Sequence, residues 1–215
     1  KRVIYFDCDF VVTSSLAKLF NVNMGDYPIA GVKDISKKLT KINPNYVNAG
    51  MLVMDITNLK KAGAEEIFLN WTKEHFDTIK LGDQEIINEA LKGKIMLVED
   101  EWNVQSSNFT NRSSYTRTPK AIHFVAKKKP WHYASFSVHR PLYFKYLQLT
   151  PWKLSEKDLK HWTHDNQIAS LIEYVKYRPL FLFRPRFYEA LFETYIKPCF
   201  EYKKPVIKSK TFIVW

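Results

Sequence analysis

Short apolar runs alternate with polar turns along the chain, in a pattern that predicts mixed strands and helices. Val3-Ile4-Tyr5-Phe6 is a continuous apolar run ending in Asp7-Cys8-Asp9, as expected of a strand buried on both faces of an α/β sheet. Ser14–Phe20 has room for one or two helical turns, and Asp26–Gly31 reads as a turn into a strand around Ile29–Val32. Val47–Ile56 predicts a second buried strand, broken at its start by Asn48-Ala49-Gly50. Asn58 is placed to cap a helix over Leu59–Glu74, with Ile67, Phe68 and Trp71 at helical spacing. Asp83–Leu91 predicts a compact helix terminated by Gly93. A strand over Ile95–Val98 leads into a Ser/Thr/Asn-rich loop over Ser106–Arg117, and Ala121–Val125 predicts another strand. Lys127–Trp131 is a basic loop closed by Pro130. Beyond Pro151 the pattern turns helical, over Ser155–Trp162, Asn166–Tyr177 and Arg186–Ile196. The fold class is therefore α/β, a mixed sheet flanked by helices with a helical C-terminal extension.

Composition sharpens this picture in one respect. The 215 residues, 46% hydrophobic and 26% charged, are those of an ordinary folded protein. Residues 1–100 hold 13 basic and 14 acidic side chains, whereas residues 101–215 hold 20 and 8, so all the excess positive charge lies in the second half. A basic half rich in aromatics points to a polyanionic partner such as phosphate, nucleic acid or an anionic membrane surface; the alternative is a solvated basic face. No recognised nucleic-acid motif accompanies the charge, so nucleic acid is not the expected partner. Two cysteines, Cys8 and Cys199, make no disulfide framework and point to a reducing, cytoplasmic setting. No apolar run approaches the roughly 18 residues that span a bilayer. Lys1 has no methionine before it and the chain opens directly into a strand pattern, so an upstream portion is expected.

The chemistry gathers at strand ends. Asp7 and Asp9, two apart, point both carboxylates to one side while Cys8 packs on the other, which makes a half-site for a divalent cation. The alternative, a pair of solvated turn aspartates, is the commoner fate of such a triplet. His123 lies in the strand pattern Ala121–Val125 shortly before Lys127-Lys128-Lys129. A strand histidine is most often a hydrogen-bonded core residue, but beside carboxylates it can complete a mixed oxygen/nitrogen site, which suits Mn²⁺ better than Mg²⁺. The lysines would neutralise phosphate or simply form a basic loop. Asn48-Ala49-Gly50 lets a ligand approach the backbone closely, or is an ordinary strand entry. Asp83 suits a helix N-terminus, and Asp83 with Gln84 can also read sugar hydroxyls.

Four such segments in fixed order resemble a known family. Phe6-Asp7-Cys8-Asp9-Phe10-Val11-Val12, Asn48-Ala49-Gly50-Met51-Leu52, Asp83-Gln84-Glu85-Ile86-Ile87-Asn88, and His123-Phe124 with Lys129-Pro130-Trp131 are similar to glycosyltransferase family 8. The resemblance spans about residues 3–131. The chain from Thr150-Pro151-Trp152 onward resembles, more loosely, the C-terminal extension of the bacterial lipopolysaccharide members. The resemblance implies a GT-A fold, a UDP-sugar donor with Mn²⁺ (Mg²⁺ as the alternative), and retention of anomeric configuration. It further implies that Asp7, Asp9 and His123 hold the metal and Lys129 the diphosphate. Asp83 and Gln84 then lie beside the donor sugar as the catalytic candidates, with Asn48, Ala49 and Cys8 lining donor or acceptor. Two departures stand out. Family members commonly carry Gly three residues after the metal His, where this chain has Ala126; and the nucleoside-binding units that open the family's fold would be expected to precede Lys1.

Together these readings give a catalytic GT-A domain over residues 1–140, lacking its N-terminal part, and a helical, basic and aromatic extension over 141–215. The leading expectation is a metal-dependent retaining transferase moving glucose or galactose to a saccharide acceptor in lipopolysaccharide or another surface glycan. Lys176, Arg178, Arg184 and Arg186 among aromatics would suit peripheral contact with the inner face of the cytoplasmic membrane. The competing expectation is a non-catalytic basic module that docks to an anionic membrane surface.

Overall fold

The computed structural model describes residues 1–106, 119–125, 129–132 and 139–160, with single residues at 135, 137, 175, 182, 183, 185 and 188. The chain divides into two compact units, Lys1–Lys129 and Pro130–Trp215.

In the first unit the strands are β1 (Arg2–Phe6), β2 (Phe10–Val12), β3 (Ile29–Lys33), β4 (Val47–Asp55), β5 (Ile95–Leu97), β6 (Val104–Gln105) and β7 (Ala121–His123). Its helices are α1 (Ala17–Phe20), α2 (Lys37–Ile42), α3 (Ile56–Lys61), α4 (Ala64–His75) and α5 (Asp83–Ala90). The larger sheet runs β1-β4-β3-β5 and the smaller β2-β7-β6. Both are mixed: β4 is antiparallel to β1 and β3, β5 is parallel to β3, β2 is antiparallel to β7, and β6 is parallel to it.

β4 carries the architecture. From Gly31↔Leu52 to Lys33↔Val47, β3 advances two residues while β4 advances five, so three extra residues bulge out of the ladder. The odd insertion flips the inside–outside alternation. Met51 and Val53 therefore pack with Leu19, Met24, Val32 and Trp102 in one core, while Val47 and Ala49 join Ile29, Leu91 and Ile95 in another. The bulged segment is Asn48-Ala49-Gly50 and its flanks, so the interruption visible in the sequence is a real departure from regular pairing.

Three local expectations change. β1 sits at the end of the sheet order and exposes Val3 and Tyr5, so it is half-buried on alternate residues, not buried on both faces. Asn58 caps no helix. Asp55 caps α3 by accepting from the N–H groups of Thr57 and Asn58, while Asn58 Nδ2 donates to the carbonyls of Gly25 and Tyr27. The single helix expected over Leu59–Glu74 is two, because Gly63 takes φ +64° between α3 and α4, a left-handed conformation natural to glycine. α2 buries no residue and so left no apolar stripe to read.

α5 is tied to the bulge by Asn88, which is fully buried. Its Oδ1 accepts from Val47 N–H at 2.7 Å, and its Nδ2 donates to the carbonyls of Val47 and Gln84 at 2.9 and 2.8 Å. One side chain thus satisfies both the N–H and the carbonyl of Val47, at the edge of the bulge.

In the second unit, α6 (Arg140–Leu147) begins with Pro141 in its first turn and buries Phe144 and Arg140, whose Nε donates to the Pro130 carbonyl at 2.7 Å. Thr150-Pro151-Trp152 comes after α6 as a turn in which Trp152 N–H donates to Thr150 Oγ1. α7 (Glu156–Lys160) starts where expected, with Ser155 Oγ accepting from Asp158 N–H. Of the predicted helices over Asn166–Tyr177 and Arg186–Ile196 only Val175 and Tyr188 are described, each helical, and the loop after Ser106 through Arg117 lies outside the described residues.

Asn88→Ala strands a buried Val47 N–H and carbonyl. Each orphaned group costs roughly 1–3 kcal/mol, so the urea midpoint of unfolding should fall clearly below that of the parent chain. An unchanged midpoint would show that the bonds contribute nothing.

Candidate metal centre

The chain leaves the larger sheet for the smaller one between two aspartates. Asp7 N–H donates to the Gly50 carbonyl at 2.9 Å, extending the β1–β4 ladder one residue past Phe6. Cys8 and Asp9 then form a turn, and β2 begins at Phe10. This turn, not a continuing strand, puts both carboxylates on one side. Cys8, expected to pack opposite them, is exposed.

β7 brings the third group. His123 pairs with Phe10 across the sheet, and the two rings stack at 4.3 Å between centroids. His123 Nε2 stands 3.2 Å from Asp9 Oδ1 and 3.6 Å from Asp7 Oδ2. One ligand atom from each of Asp7, Asp9 and His123 lies within 4.8 Å of the others. Lys129 Nζ donates to Asp9 Oδ2 and to the Phe124 carbonyl, and Tyr5 Oη donates to Asp7 Oδ1 at 2.7 Å. That bond keeps the Tyr5 hydroxyl protonated, up to about 12. Burial would push the Asp9 carboxyl up, but His123 and Lys129 beside it outweigh that and hold the group at about 2.

The residues fit a divalent cation. Asp9 Oδ1 is buried without a hydrogen-bond partner, an expensive state for a carboxylate oxygen unless a cation completes it. Two carboxylates and an imidazole form a mixed oxygen/nitrogen set of the kind that suits Mn²⁺. Gly50 makes room for it: a Cβ there would stand 2.2 Å from His123 Cε1 and 2.9 Å from Asp7 Oδ2.

Behind the ligands lies a closed amide network. Asn48 Nδ2 donates to Asp34 Oδ2 and Gln84 Oε1 at 3.3 and 3.2 Å, and Asn48 Oδ1 accepts from Gly50 N–H and Asn103 Nδ2. Gln84 Oε1 also accepts from Ala49 N–H at 3.1 Å, and Gln84 Nε2 donates to Asp34 Oδ2 at 3.3 Å. Asp83 is exposed at the start of α5, where its Oδ1 accepts from Gln84 N–H.

Asp7, Asp9, His123 and Lys129 are thus in one cluster, and Asn48, Ala49 and Gln84 in the network adjoining it. Asp83 and Cys8 stand exposed and belong to neither group. Ala126 lies outside the described residues. Two members escaped sequence reasoning. Asp34 comes directly after β3, and an acidic residue at a strand end was the available signal. Asn103, between the 3₁₀ turn Asp100–Trp102 and β6, is preceded by a buried tryptophan and had none.

A mixed sheet with its chemistry at strand ends defines the class, and comparison gives it a name. The structure matches the crystal structure of the galactosyltransferase LgtC in complex with donor and acceptor sugar analogs, with TM-score 0.59 and 20% identity over 73% of this chain and 63% of that one. It also matches the glycosyltransferase GlyE of Streptococcus pneumoniae, with TM-score 0.58 and 23% identity over 70% of this chain and 40% of that one. The fold is that of the GT-A glycosyltransferases. Residues 1–135 match the Glycosyl transferase family 8, and the chain belongs to that family. Among sequence relatives, General stress protein A of Bacillus subtilis is 29% identical over 71% of this chain and 60% of its own length. The Lipopolysaccharide 1,2-glucosyltransferase of Escherichia coli is 23% identical over 71% of this chain and 50% of its own. The chain therefore spans three fifths or less of these relatives.

Gly50→Ala forces the imidazole and the Asp7 carboxylate apart. The His123 side-chain signals in nitrogen-edited NMR spectra should shift, and Mn²⁺ uptake should fall, while the far-ultraviolet circular dichroism stays that of the parent. An unmoved His123 signal would disprove the contact.

Proposed function

We propose that this chain supplies the metal-binding and sugar-binding part of a retaining hexosyltransferase. Glucose or galactose passes from a UDP-sugar to a saccharide acceptor in lipopolysaccharide or another surface glycan. The observation that supports this best is the convergence of Asp7, Asp9 and His123 ligand atoms within 4.8 Å beside the Lys129 ammonium. Mn²⁺, held by those three side chains, would supply charge neutralisation for the leaving diphosphate.

Each residue then has a chemical part. The Lys129 ammonium adds a donor where negative charge grows as the anomeric bond to phosphate breaks. The Gln84 oxygen already accepts from Ala49 N–H and Asn48 Nδ2, which leaves it poorly placed to act as a nucleophile. Gln84 instead offers its remaining Nε2 proton to the sugar, and exposed Asp83 accepts from sugar hydroxyls. Ala49 and Cys8 line the donor and acceptor side. Attack from the face that the diphosphate leaves retains configuration, and the departing phosphate oxygen takes the acceptor proton.

Among the described residues no helix is long and apolar enough to cross a membrane. Exposed Trp152 and Leu149 in the second unit support peripheral contact with an anionic surface, such as the inner leaflet that presents a lipid-linked acceptor. The basic residues of that reading, Lys176, Arg178, Arg184 and Arg186, lie outside the described residues.

Two experiments test these readings. In the whole protein, Asp7→Asn or Asp9→Asn should reduce Mn²⁺-dependent UDP release from UDP-glucose or UDP-galactose by at least about 100-fold, because each removes a charged ligand at constant volume; near-normal activity in either variant would sink the metal assignment. In vesicle co-sedimentation, binding should appear with anionic but not neutral lipid and weaken with salt and with Arg184→Glu/Arg186→Glu. Absence of binding at every salt concentration would remove the membrane contact.

A further inference from the structure

We propose that Asn103 is a positioning residue that, with Asn48, fixes His123 in the Nδ1–H form and so reserves the Nε2 lone pair for a divalent cation. This role, which rests on the metal reading above, falls to a residue outside the ligand set.

The orientation of each amide is set by its partners. Asn48 Oδ1 receives the backbone N–H of Gly50 at 3.2 Å, and a backbone N–H can only donate. The same oxygen accepts from Asn103 Nδ2 at 3.0 Å, which turns Asn103 Oδ1 toward the ring. His123 Nδ1 lies 3.1 Å from Asn48 Oδ1 and 3.2 Å from Asn103 Oδ1. Both neighbours are acceptors. A bare Nδ1 would press its lone pair against theirs in a buried site, so the proton belongs on Nδ1.

A competing pull acts at the other end of the ring. Asp9 Oδ1 and Asp7 Oδ2 stand 3.2 and 3.6 Å from Nε2 and favour a proton there, where it would block a cation. Asp7 Oδ2 stands beyond hydrogen-bond distance, and Asp9 Oδ1, though near enough, has no aligned donor. Both amide contacts are aligned. Asn103 tips this balance twice: it is one of the two acceptors, and its Nδ2 helps hold the other in place. Its amide is placed in advance, because Asn103 is 2% exposed and adjoins buried Trp102. Outer partners of this kind fix the tautomer of metal-binding histidines generally.

The test reads the ring directly. In ¹⁵N-labelled, metal-free chain, at a pH where the ring is neutral, His123 should show a protonated Nδ1 and a bare Nε2. Asn103→Leu should raise the Nε2–H population, and the Mn²⁺ dissociation constant, from the electron paramagnetic resonance of the free ion, should rise by about 10–100-fold. A parent chain in which Nε2–H dominates overturns the proposal without reference to any variant. So does a folded Asn103→Leu chain with the parent's tautomer ratio and Mn²⁺ affinity. If the parent takes up no Mn²⁺, the metal reading of Asp7, Asp9 and His123 falls, and the tautomer shift alone decides the role of Asn103.

Discussion

The Asn48 side chain gathers several elements of the first unit at one point of β4. Its oxygen gathers Gly50 N–H, Asn103 Nδ2 and His123 Nδ1, and its nitrogen reaches Asp34 and Gln84. Those partners come from the ends of β3 and β6, from β7 and from α5. The amide is 8% exposed, so each bond forms away from competing water and is costly to leave unmade. It stands in the bulge of β4, and the bulge is what aims it: a regular strand would turn alternate residues of this segment outward. The polar chemistry of the site and the irregularity of the backbone are one feature.

The two apolar cores that flank β4 arise from the same irregularity. Because the register slips by an odd number, Val47 and Ala49 pack toward α5 and β5 while Met51 and Val53 pack toward α1 and Trp102. Buried side chains of this size stabilise by about 1.5–3 kcal/mol each. The sandwiching of β4 between two clusters lets the bulge persist against its own lost ladder bonds. Asn88, wholly buried, adds side-chain bonds to the Val47 backbone at the edge of the bulge.

Much of this was visible in the chain before the structure, for identifiable reasons. Asp7, Asp9 and His123 sit at or beside strand ends whose apolar runs are readable, but local pattern alone left each with a commoner structural role, and it was the family resemblance that grouped them. Asn103 could not be found in the same way, because a supporting amide needs only a three-dimensional neighbour, not a spacing, whereas Asp34 offered the strand-end signal and was passed over. The reading of β1 as doubly buried failed because an apolar run does not say where in a sheet it lies; Tyr5 is exposed, with its hydroxyl on Asp7. The cap at Asn58 failed because the helix starts three residues earlier, capped by Asp55, so that Asn58 lies inside α3 and its side chain turns to the carbonyls of Gly25 and Tyr27.

His123 pairs with Phe10 although more than a hundred residues of chain lie between them. Contacts of such long range form late, after the entropy of closing the intervening loop has been overcome. β1, β4 and β3, by contrast, are linked by much shorter connections and can assemble first. Asp7, Asp9 and His123 therefore meet only when the smaller sheet has docked its last strand. A partly folded chain can collapse its core and still have no place for a cation. Any ion bound there stabilises the finished structure alone, and to an extent set by its free concentration, so metal supply would act as a thermodynamic check on the completion of folding.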